Sequence, residues 1–225
     1  DSMSGLTSAG GTILTDIESV SRPVLLWRSM LNGLGGIGIV IFAVALLPYL
    51  GIGGMQIFQR ENSDSDDKVM PKFNYIAKRI IILYLILLLA CIYCFYQAGM
   101  SLFDAVNHGL TTTSTGGFST KNNSFAAFQS FKIEMIAVAF MILGSLPMTF
   151  YIAVWQGKDW HSSRNIQVMA FLKDLAMYIG FVSICLIFFK DMGIIEALRY
   201  ASFNVVSIVT SSGFSSTDYL NWGNR

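Results

Sequence analysis

TTTSTGGFST, residues 111–120, is a run of hydroxyl-bearing residues and glycines that stands between long apolar segments. Similar stretches lie near both ends of the chain, GLTSAGGT at residues 5–12 and SIVTSSGFSST at residues 207–217. When they are aligned on Gly10, Gly116 and Gly213, each has a threonine three residues before the glycine. The copies recur about every hundred residues, which indicates an internal repeat.

The residue types of the repeated stretch favour a re-entrant loop that binds a cation. Lipid cannot satisfy free backbone groups, so irregular backbone at membrane depth occurs only where it is buried or lines an aqueous cavity. Glycine adopts positive φ without a clash, and potassium filters replace the hydration shell with carbonyl oxygens of a Thr/Gly loop. A solvated loop is the alternative for any single copy, but three copies in one context favour filters. The predicted ion-binding residues are Thr7, Ser8, Ala9, Gly10, Thr113, Ser114, Thr115, Gly116, Thr210, Ser211, Ser212 and Gly213.

A polar residue precedes each aligned glycine by nine positions. These residues are Asp1, Asn107 and Asn204. We predict that Asn107 and Asn204 support the filter by hydrogen bonds from behind, although an interfacial polar position without a special role is equally compatible with the pattern. The segment 101–109 before the central loop is too short to span a membrane, and the carboxyl end of such a helix offers partial negative charge to a cation.

Composition places the chain among integral membrane proteins. Hydrophobic residues make up 53% of the 225 residues and charged residues 13%, and the mean hydropathy is +0.56. A net charge of +1 provides no electrostatic basis for binding nucleic acid. Cys91 and Cys94 lie in an apolar run and are interpreted as small buried hydrophobes. Two histidines, His108 and His161, are too few for a transition-metal site, and no organic cofactor is expected.

Four apolar segments are long enough to cross the hydrocarbon layer, 24–50, 80–96, 133–155 and 168–189. Basic residues around residues 55–74 place that loop in the cytoplasm. We therefore predict three repeats: the end of the first over 1–74, a complete second over 75–167 and the start of a third over 168–225.

Charged residues flank the first predicted span. Arg22 and Arg28 lie near its outer end, where they could extend to the interface. Asp16 and Glu18 follow the first loop, and would either raise the local cation concentration at an outer mouth or cap a helix start.

Small residues mark the interior of the first predicted span. The segment GLGGIG, residues 33–38, superficially matches a dinucleotide-binding fingerprint, but no strand precedes it. We interpret these glycines as positions that let the helix approach a pore helix or leave room for water. Leu47-Pro48 and Leu146-Pro147 occupy similar places in two spans, and Pro48, followed by Gly51, Gly53 and Gly54, is predicted to end or kink the first.

Several segments resemble the TrkH/TrkG/KtrB superfamily of bacterial potassium transport subunits, and the TrkH branch in particular. They are SRPVLLWRS at 21–29, GGIGIV at 35–40, GGMQ at 53–56, AGMSLFDA at 98–105, NVVS at 204–207 and GFSSTDY at 213–219. The resemblance covers essentially the whole chain.

This resemblance implies an all-α integral membrane fold with repeated helix–pore loop–helix units around a pseudo-fourfold ion pathway. It further implies a homodimer in the bacterial inner membrane that moves K⁺ and is gated by a cytosolic nucleotide-binding subunit of the TrkA kind. The chain lacks the fourth filter and the gating loop of that family, so an internal fragment is expected. Ser8-Ala9 replaces the usual Thr-rich pair.

A secondary transporter and an intramembrane enzyme are the alternatives to a potassium pore. A secondary transporter with broken helices would bind another ion or solute at half-helix amino ends. An intramembrane enzyme would need a nucleophile beside a base, and the predicted topology puts His108 and His161 on opposite sides of the membrane, so we predict that the chain is not an enzyme.

Overall fold

The computed structural model describes residues 1–50, 69–155, 163–190 and 192–217. These residues form eight α-helices and one 3-10 helix, and they contain no strand. The all-α fold expected from the sequence is therefore confirmed. In chain order the elements are α1 Ser2–Leu6, α2 Arg22–Leu50, α3 Val69–Gln97, α4 Leu102–Thr113, the 3-10 helix Ser124–Phe128, α5 Phe131–Ser145, α6 Met148–Trp155, α7 Ser163–Lys190 and α8 Ile194–Val209.

Three short helices, α1, α4 and α8, each lead directly into one of the Thr/Gly loops. The start of α4 is capped by Ser101, whose hydroxyl accepts a hydrogen bond from the Asp104 amide at 3.1 Å. Each short helix packs against a long neighbour, α1 against α2, α4 against α2 and α3, and α8 against α7. Around the central loop the order is a long helix, a short helix, the loop and a further helix, α3, α4 and α5.

Two helical segments are long and apolar enough to cross a membrane, residues 78–97 in α3 and 166–190 in α7. The predicted spans 80–96 and 168–189 fall inside them. The predicted domain boundaries at residues 75 and 168 fall within helices, since α3 begins at Val69 and α7 at Ser163. The division into three repeats stays a prediction. Residues 55–68 of the predicted cytoplasmic loop 55–74 lie outside the described residues, and the rest of it belongs to α3.

The predicted span 133–155 consists of two helices. Helix α5 ends at Ser145, Leu146 is extended with φ −70° and ψ 143°, and α6 begins at Met148. Leu146 precedes a proline, which disfavours the helical conformation at that position. The equivalent Pro48 lies within α2, which continues to Leu50. Residues 51–54, which were expected to help end that span, lie outside the described part of the chain.

Glycines on α2 bring this helix into contact with two of the short helices. A Cβ added at Gly35 would lie 2.1 Å from the carbonyl oxygen of Leu6 on α1. A Cβ at Gly33 would lie 2.8 Å from a methyl group of Leu110 on α4. The expectation that small residues let this helix approach a pore helix closely is confirmed.

The main hydrophobic core joins α3, α4 and α5 to α7 and α8. Phe125 of the 3-10 helix is fully buried, and its ring centroid lies 5.3 Å from that of Phe203 and 4.8 Å from that of Phe214. Helices α5 and α8 are also joined by an ion pair, in which Arg199 donates to both carboxylate oxygens of buried Glu134 at 2.6 and 2.7 Å. These contacts fix the third loop against the second.

The three cysteines are free, and Cys91 is completely buried in the core. The prediction of buried cysteines is confirmed for Cys91, whereas Cys94 and Cys185 are only partly buried.

Candidate ion-binding site

The three Thr/Gly loops adopt one backbone conformation. Each preceding helix ends at a residue with φ between −87° and −82° and ψ near 0°, namely Thr7, Ser114 and Thr210. The next residue has positive φ, at Ser8 (53°), Thr115 (51°) and Ser211 (59°). Two residues later a glycine has positive φ, at Gly10 (70°), Gly117 (77°) and Gly213 (72°). The repeat inferred from the sequence is therefore a repeat of local structure.

This conformation corrects the predicted alignment of the central loop, because Gly117 and not Gly116 corresponds to Gly10 and Gly213. One hydrogen bond in each loop confirms the shift. The donors are the amides of Ala9, Gly116 and Ser212, and each bonds to the carbonyl five residues earlier, at 2.9, 2.8 and 2.8 Å. In sequence, the threonine three residues before the glycine favours Gly116, whereas the Phe-Ser pair that follows both Gly117 and Gly213 favours Gly117, so the backbone decides. Thr113 is consequently the last residue of α4, and its hydroxyl donates to the Gly109 carbonyl at 2.8 Å.

The loops lie in backbone contact with one another. A Cβ added at Gly10 would lie 2.6 Å from the carbonyl oxygen of Gly116. A Cβ added at Gly117 would lie 2.0 Å from the carbonyl oxygen of Ser212. The central loop thus lies between the first and the third, and only glycine allows these approaches.

Backbone oxygens of the loops are available to a ligand. Within the described residues, no hydrogen bond is donated to the carbonyls of Ser8, Ala9, Gly10, Thr115, Gly116, Gly117, Ser211, Ser212 and Gly213. Six of these residues are buried or half-buried, namely Ser8, Gly10, Thr115, Gly116, Gly117 and Ser212, whereas Ala9, Ser211 and Gly213 are exposed. Carbonyls in buried or half-buried positions normally have a partner, and hard monovalent cations prefer oxygen ligands. In addition, α1, α4 and α8 all direct their carboxyl ends toward these turns, which adds partial negative charge.

Hydroxyl groups at the helix ends are already engaged as donors. Thr7 donates to the Met3 carbonyl at 2.9 Å, and Thr210 donates to the Val206 carbonyl at 2.8 Å. Ser114 makes the same bond to Leu110 at 2.8 Å. These bonds fix the side chains to their own helices and leave the hydroxyl lone pairs for other contacts.

Two polar residues, Asp1 at the start of α1 and Asn204 within α8, hold the exits of their loops. Asp1 accepts hydrogen bonds from the Thr12 hydroxyl and the Ile13 amide, both at 3.0 Å. Asn204 donates to the Ser216 hydroxyl at 3.1 Å and accepts from the Ser216 amide at 3.4 Å. Asn204 thus bonds to the exit of the third loop, and its support of a filter stays a prediction.

His108 holds the corresponding position in the central loop, nine residues before Gly117. Its Nε2 lies 3.0 Å from the Ser119 hydroxyl, and its Nδ1 donates to the Asp104 carbonyl at 2.9 Å. Asn107, the residue predicted for this role, donates instead to the Phe103 carbonyl of its own helix at 2.7 Å. Counting back from the second glycine would have identified His108 in the sequence.

Arg28 is a second residue whose role the sequence did not indicate. It is 4% exposed, which contradicts the expectation that it extends to the membrane interface. Its Nε lies 2.8 Å from an Asp1 carboxylate oxygen, and its Nη2 donates to the Thr12 hydroxyl at 3.0 Å. The guanidinium also lies 4.3 Å from the centroid of the Phe118 ring. Arg28 therefore joins the exits of the first and central loops.

The segment after the central loop contacts the segments after both other loops. Asn122 donates to the Asp16 carboxylate at 2.9 Å and accepts from the Ile17 amide at 2.7 Å. The hydrogen bond from Asn122 lowers the pKa of Asp16, so this carboxylate is charged at neutral pH. On the other side, the Phe125 and Ala126 amides donate to the Ser215 carbonyl at 3.1 and 3.3 Å.

A cavity of about 230 Å³ adjoins the first two loops. Its lining combines loop residues with side chains from α2, α3, α5 and α6: Ser8, Gly36, Ile37, Ile80, Tyr84, Thr113, Ser114, Thr115, Gly144 and Met148. Among the described residues, no group of His, Cys, Asp or Glu could hold a transition metal. The oxygens that the loops present are neutral backbone and hydroxyl oxygens.

A sequence model of the TrkH family, described as "Cation transport protein", matches residues 1–189. The chain belongs to the TrkH family. It is 38% identical over 224 residues to the Trk system potassium uptake protein TrkI of Halomonas elongata, covering 99% of this chain and 45% of that protein. It is 34% identical over 228 residues to the Trk system potassium uptake protein TrkG of Escherichia coli, covering 99% of this chain and 46% of that protein.

The solved structure of the potassium transporter TrkH from Vibrio parahaemolyticus superposes on this TrkH-family chain with a TM-score of 0.83 at 30% identity. The match covers 97% of this chain and 45% of that structure. The chain thus spans about half the length of the relatives that it matches. It is an integral membrane protein of a transport family and not of an enzyme family.

Proposed function

We propose that this chain forms three of the loops that line a potassium pathway through the bacterial inner membrane. The observation that carries the proposal is the backbone conformation shared by the three loops, which lie in mutual contact and carry carbonyls without donors. Such carbonyls can replace the hydration shell of K⁺. Potassium is the ion named for the relatives.

Contacts between successive loops support a pseudo-fourfold arrangement. A Cβ added at Gly10 would collide with the central loop, and one added at Gly117 would collide with the third loop. A Cβ added at Gly213 would have none of the described residues within 4 Å. We infer that a fourth loop packs there, in the part of the protein that corresponds to the unmatched half of the relatives. The homodimer and a cytosolic nucleotide-binding regulator of the TrkA kind are proposed from the family resemblance alone.

The polarity of the short helices favours a cation over the alternative of a secondary transporter for an anionic solute. Helices α1, α4 and α8 enter the loops with their carboxyl ends, whereas an anion would require amino ends. Among the described residues, no buried basic side chain lies in the loops themselves. Arg28 is buried on the neighbouring helix α2, and it is paired with Asp1.

Uptake of ⁸⁶Rb⁺ by proteoliposomes containing the purified protein tests the proposal. We expect uptake that unlabelled K⁺ suppresses much more strongly than Na⁺, and that Gly117→Ala reduces by at least about tenfold because its Cβ would collide with the third loop. Uptake that Na⁺ and K⁺ suppress equally, or that survives Gly117→Ala, would contradict a filter built from these loops.

A further inference from the structure

Gly116 is a glycine at a position where the backbone does not require one. Unlike its neighbour Gly117, Gly116 does not have a positive φ. The structurally equivalent residues of the first and third loops, Ala9 and Ser212, both carry side chains. The absence of a side chain at Gly116 therefore has a cause outside its own loop.

That cause is Asn32, a residue of α2 that is completely buried. A Cβ added at Gly116 would lie 2.4 Å from Nδ2, 2.5 Å from Cγ and 2.7 Å from Oδ1 of Asn32. Real Cβ atoms do not approach other heavy atoms so closely, so the amide of Asn32 occupies the space that a side chain at Gly116 would need. The helix that follows the first loop thus abuts the backbone of the central loop.

The amide group of Asn32 has no hydrogen-bond partner within the described residues, at either Nδ2 or Oδ1. Burying an amide without partners costs free energy. A side chain that served only to fill this space would be apolar, and leucine has nearly the same shape. The polar group faces the backbone of Gly116, where the central loop turns toward its unpartnered carbonyls.

We propose that Asn32 is a positioning residue for the central loop and thereby a determinant of ion specificity. Its amide sets the position of Gly116 through direct contact and provides a dipole behind the loop. This inference rests on the proposed function, because it assigns the contact a role in discrimination between ions. It assigns Asn32 no contact with the ion itself.

One variant, compared with a control, separates the effect of position from that of polarity. Asn32→Leu fills the same space without a dipole, so we expect a melting temperature close to that of the unaltered protein but a preference for Rb⁺ over Na⁺ that falls by at least about fivefold. A merely structural role would leave this preference unchanged. Ser29→Ala is the matched control, since Ser29 is a buried residue of the same helix that bonds only to its own Leu25 carbonyl.

A rescue experiment tests the contact. We expect Gly116→Ala to reduce Rb⁺ uptake by about tenfold, and the pair Gly116→Ala/Asn32→Ala to restore uptake to within about threefold, because removal of the amide frees space for one methyl group. Gly117→Ala, which collides with the third loop, is not rescued by Asn32→Ala. The inference is overturned if the pair is no better than Gly116→Ala alone, or if Asn32→Leu keeps the original ion preference.

Melting temperatures distinguish failure of this inference from failure of the proposed function. If the unaltered protein does not discriminate Rb⁺ from Na⁺, the proposed function fails. The thermal data still decide whether Asn32 positions Gly116, since the pair should then regain much of the stability that Gly116→Ala alone loses. Strictly additive losses would reject the contact.

Discussion

Asp1, His108 and Asn204 occupy one position in three loops but differ in charge and shape. All three hold the exit of their loop through a hydroxyl or an amide two or three residues after the glycine. A short chain segment can be held by any side chain that reaches these groups, so the position does not require a particular residue. Asn107 was predicted in place of His108 because the central loop was aligned on Gly116 instead of Gly117.

We expect His108→Leu to lower both Rb⁺ uptake and melting temperature, because the Ser119 hydroxyl would lose its buried partner at a cost of about 1–3 kcal/mol. His108→Asn, which introduces the residue found at the third loop, should retain more of both. Asn107→Ala is the control. Its amide bonds within its own helix, so a loss as large as that of His108→Leu would reject the revised register.

The positions of the first and central loops depend on the close packing of α2 against α1 and α4. The sequence predicted it from the cluster of glycines within an apolar helix. It could not predict which glycines are in contact, because that depends on the rotation of α2. Gly33, Gly35 and Gly36 face the short helices, whereas a Cβ at Gly38 would meet nothing within 4 Å.

Gly35→Val should therefore displace α1 and lower the stability of the protein by about 1–3 kcal/mol or more, as overpacking does, because its Cβ would collide with backbone. Uptake should fall with it, since α1 leads into the first loop. Gly38→Val on the same helix should leave both melting temperature and uptake nearly unchanged. Equal effects of the two substitutions would show that α2 is rotated differently.

The ion pair between α5 and α8 supports a second prediction about elements. Arg199→Leu leaves Glu134 buried and unpaired, so we expect a loss of about 3 kcal/mol, the low end for such pairs because Arg199 is 23% exposed. Arg199→Leu/Glu134→Leu should recover most of it. Glu18→Ala, which removes the exposed pair with Lys121 at 3.9 Å, should change stability by less than about 0.5 kcal/mol in the same denaturation assay.

For the whole molecule, the sequence predicted the class of fold, the number of loops and the two apolar spans in α3 and α7. These three features could be predicted because hydropathy and sequence repetition are visible in the local sequence. The register of the central loop, the break at Leu146 and the burial of Arg28 were wrong or missed, because each depends on which residues meet across different repeats. An arginine near the end of a span looks the same in sequence whether it faces water or Asp1.

Contacts between repeats also give a pH dependence. The hydrogen bond from Asn122 lowers the pKa of Asp16 below its ordinary value of 3.8. The stability that this bond contributes is therefore fully present above pH 3.8 and is lost as the pH falls through the lowered pKa. Asn122→Ala should raise the pKa of Asp16 toward its ordinary value and reduce the decline in melting temperature between about pH 7 and pH 3.

Asn123→Ala is the control for this measurement, since Asn123 makes no side-chain capping bond at the 3-10 helix. An unchanged acid dependence in Asn122→Ala would show that the first and central loops are not coupled through this residue.

The backbone contact of Gly10 with Gly116, and of Gly117 with Ser212, has a consequence for the effect of substitutions. Where main chains abut, neither loop can move without displacing the one beside it. The width of the proposed pathway would therefore be set jointly by neighbouring loops. A substitution at one of these contacts should alter the geometry of the adjoining loop as well as its own.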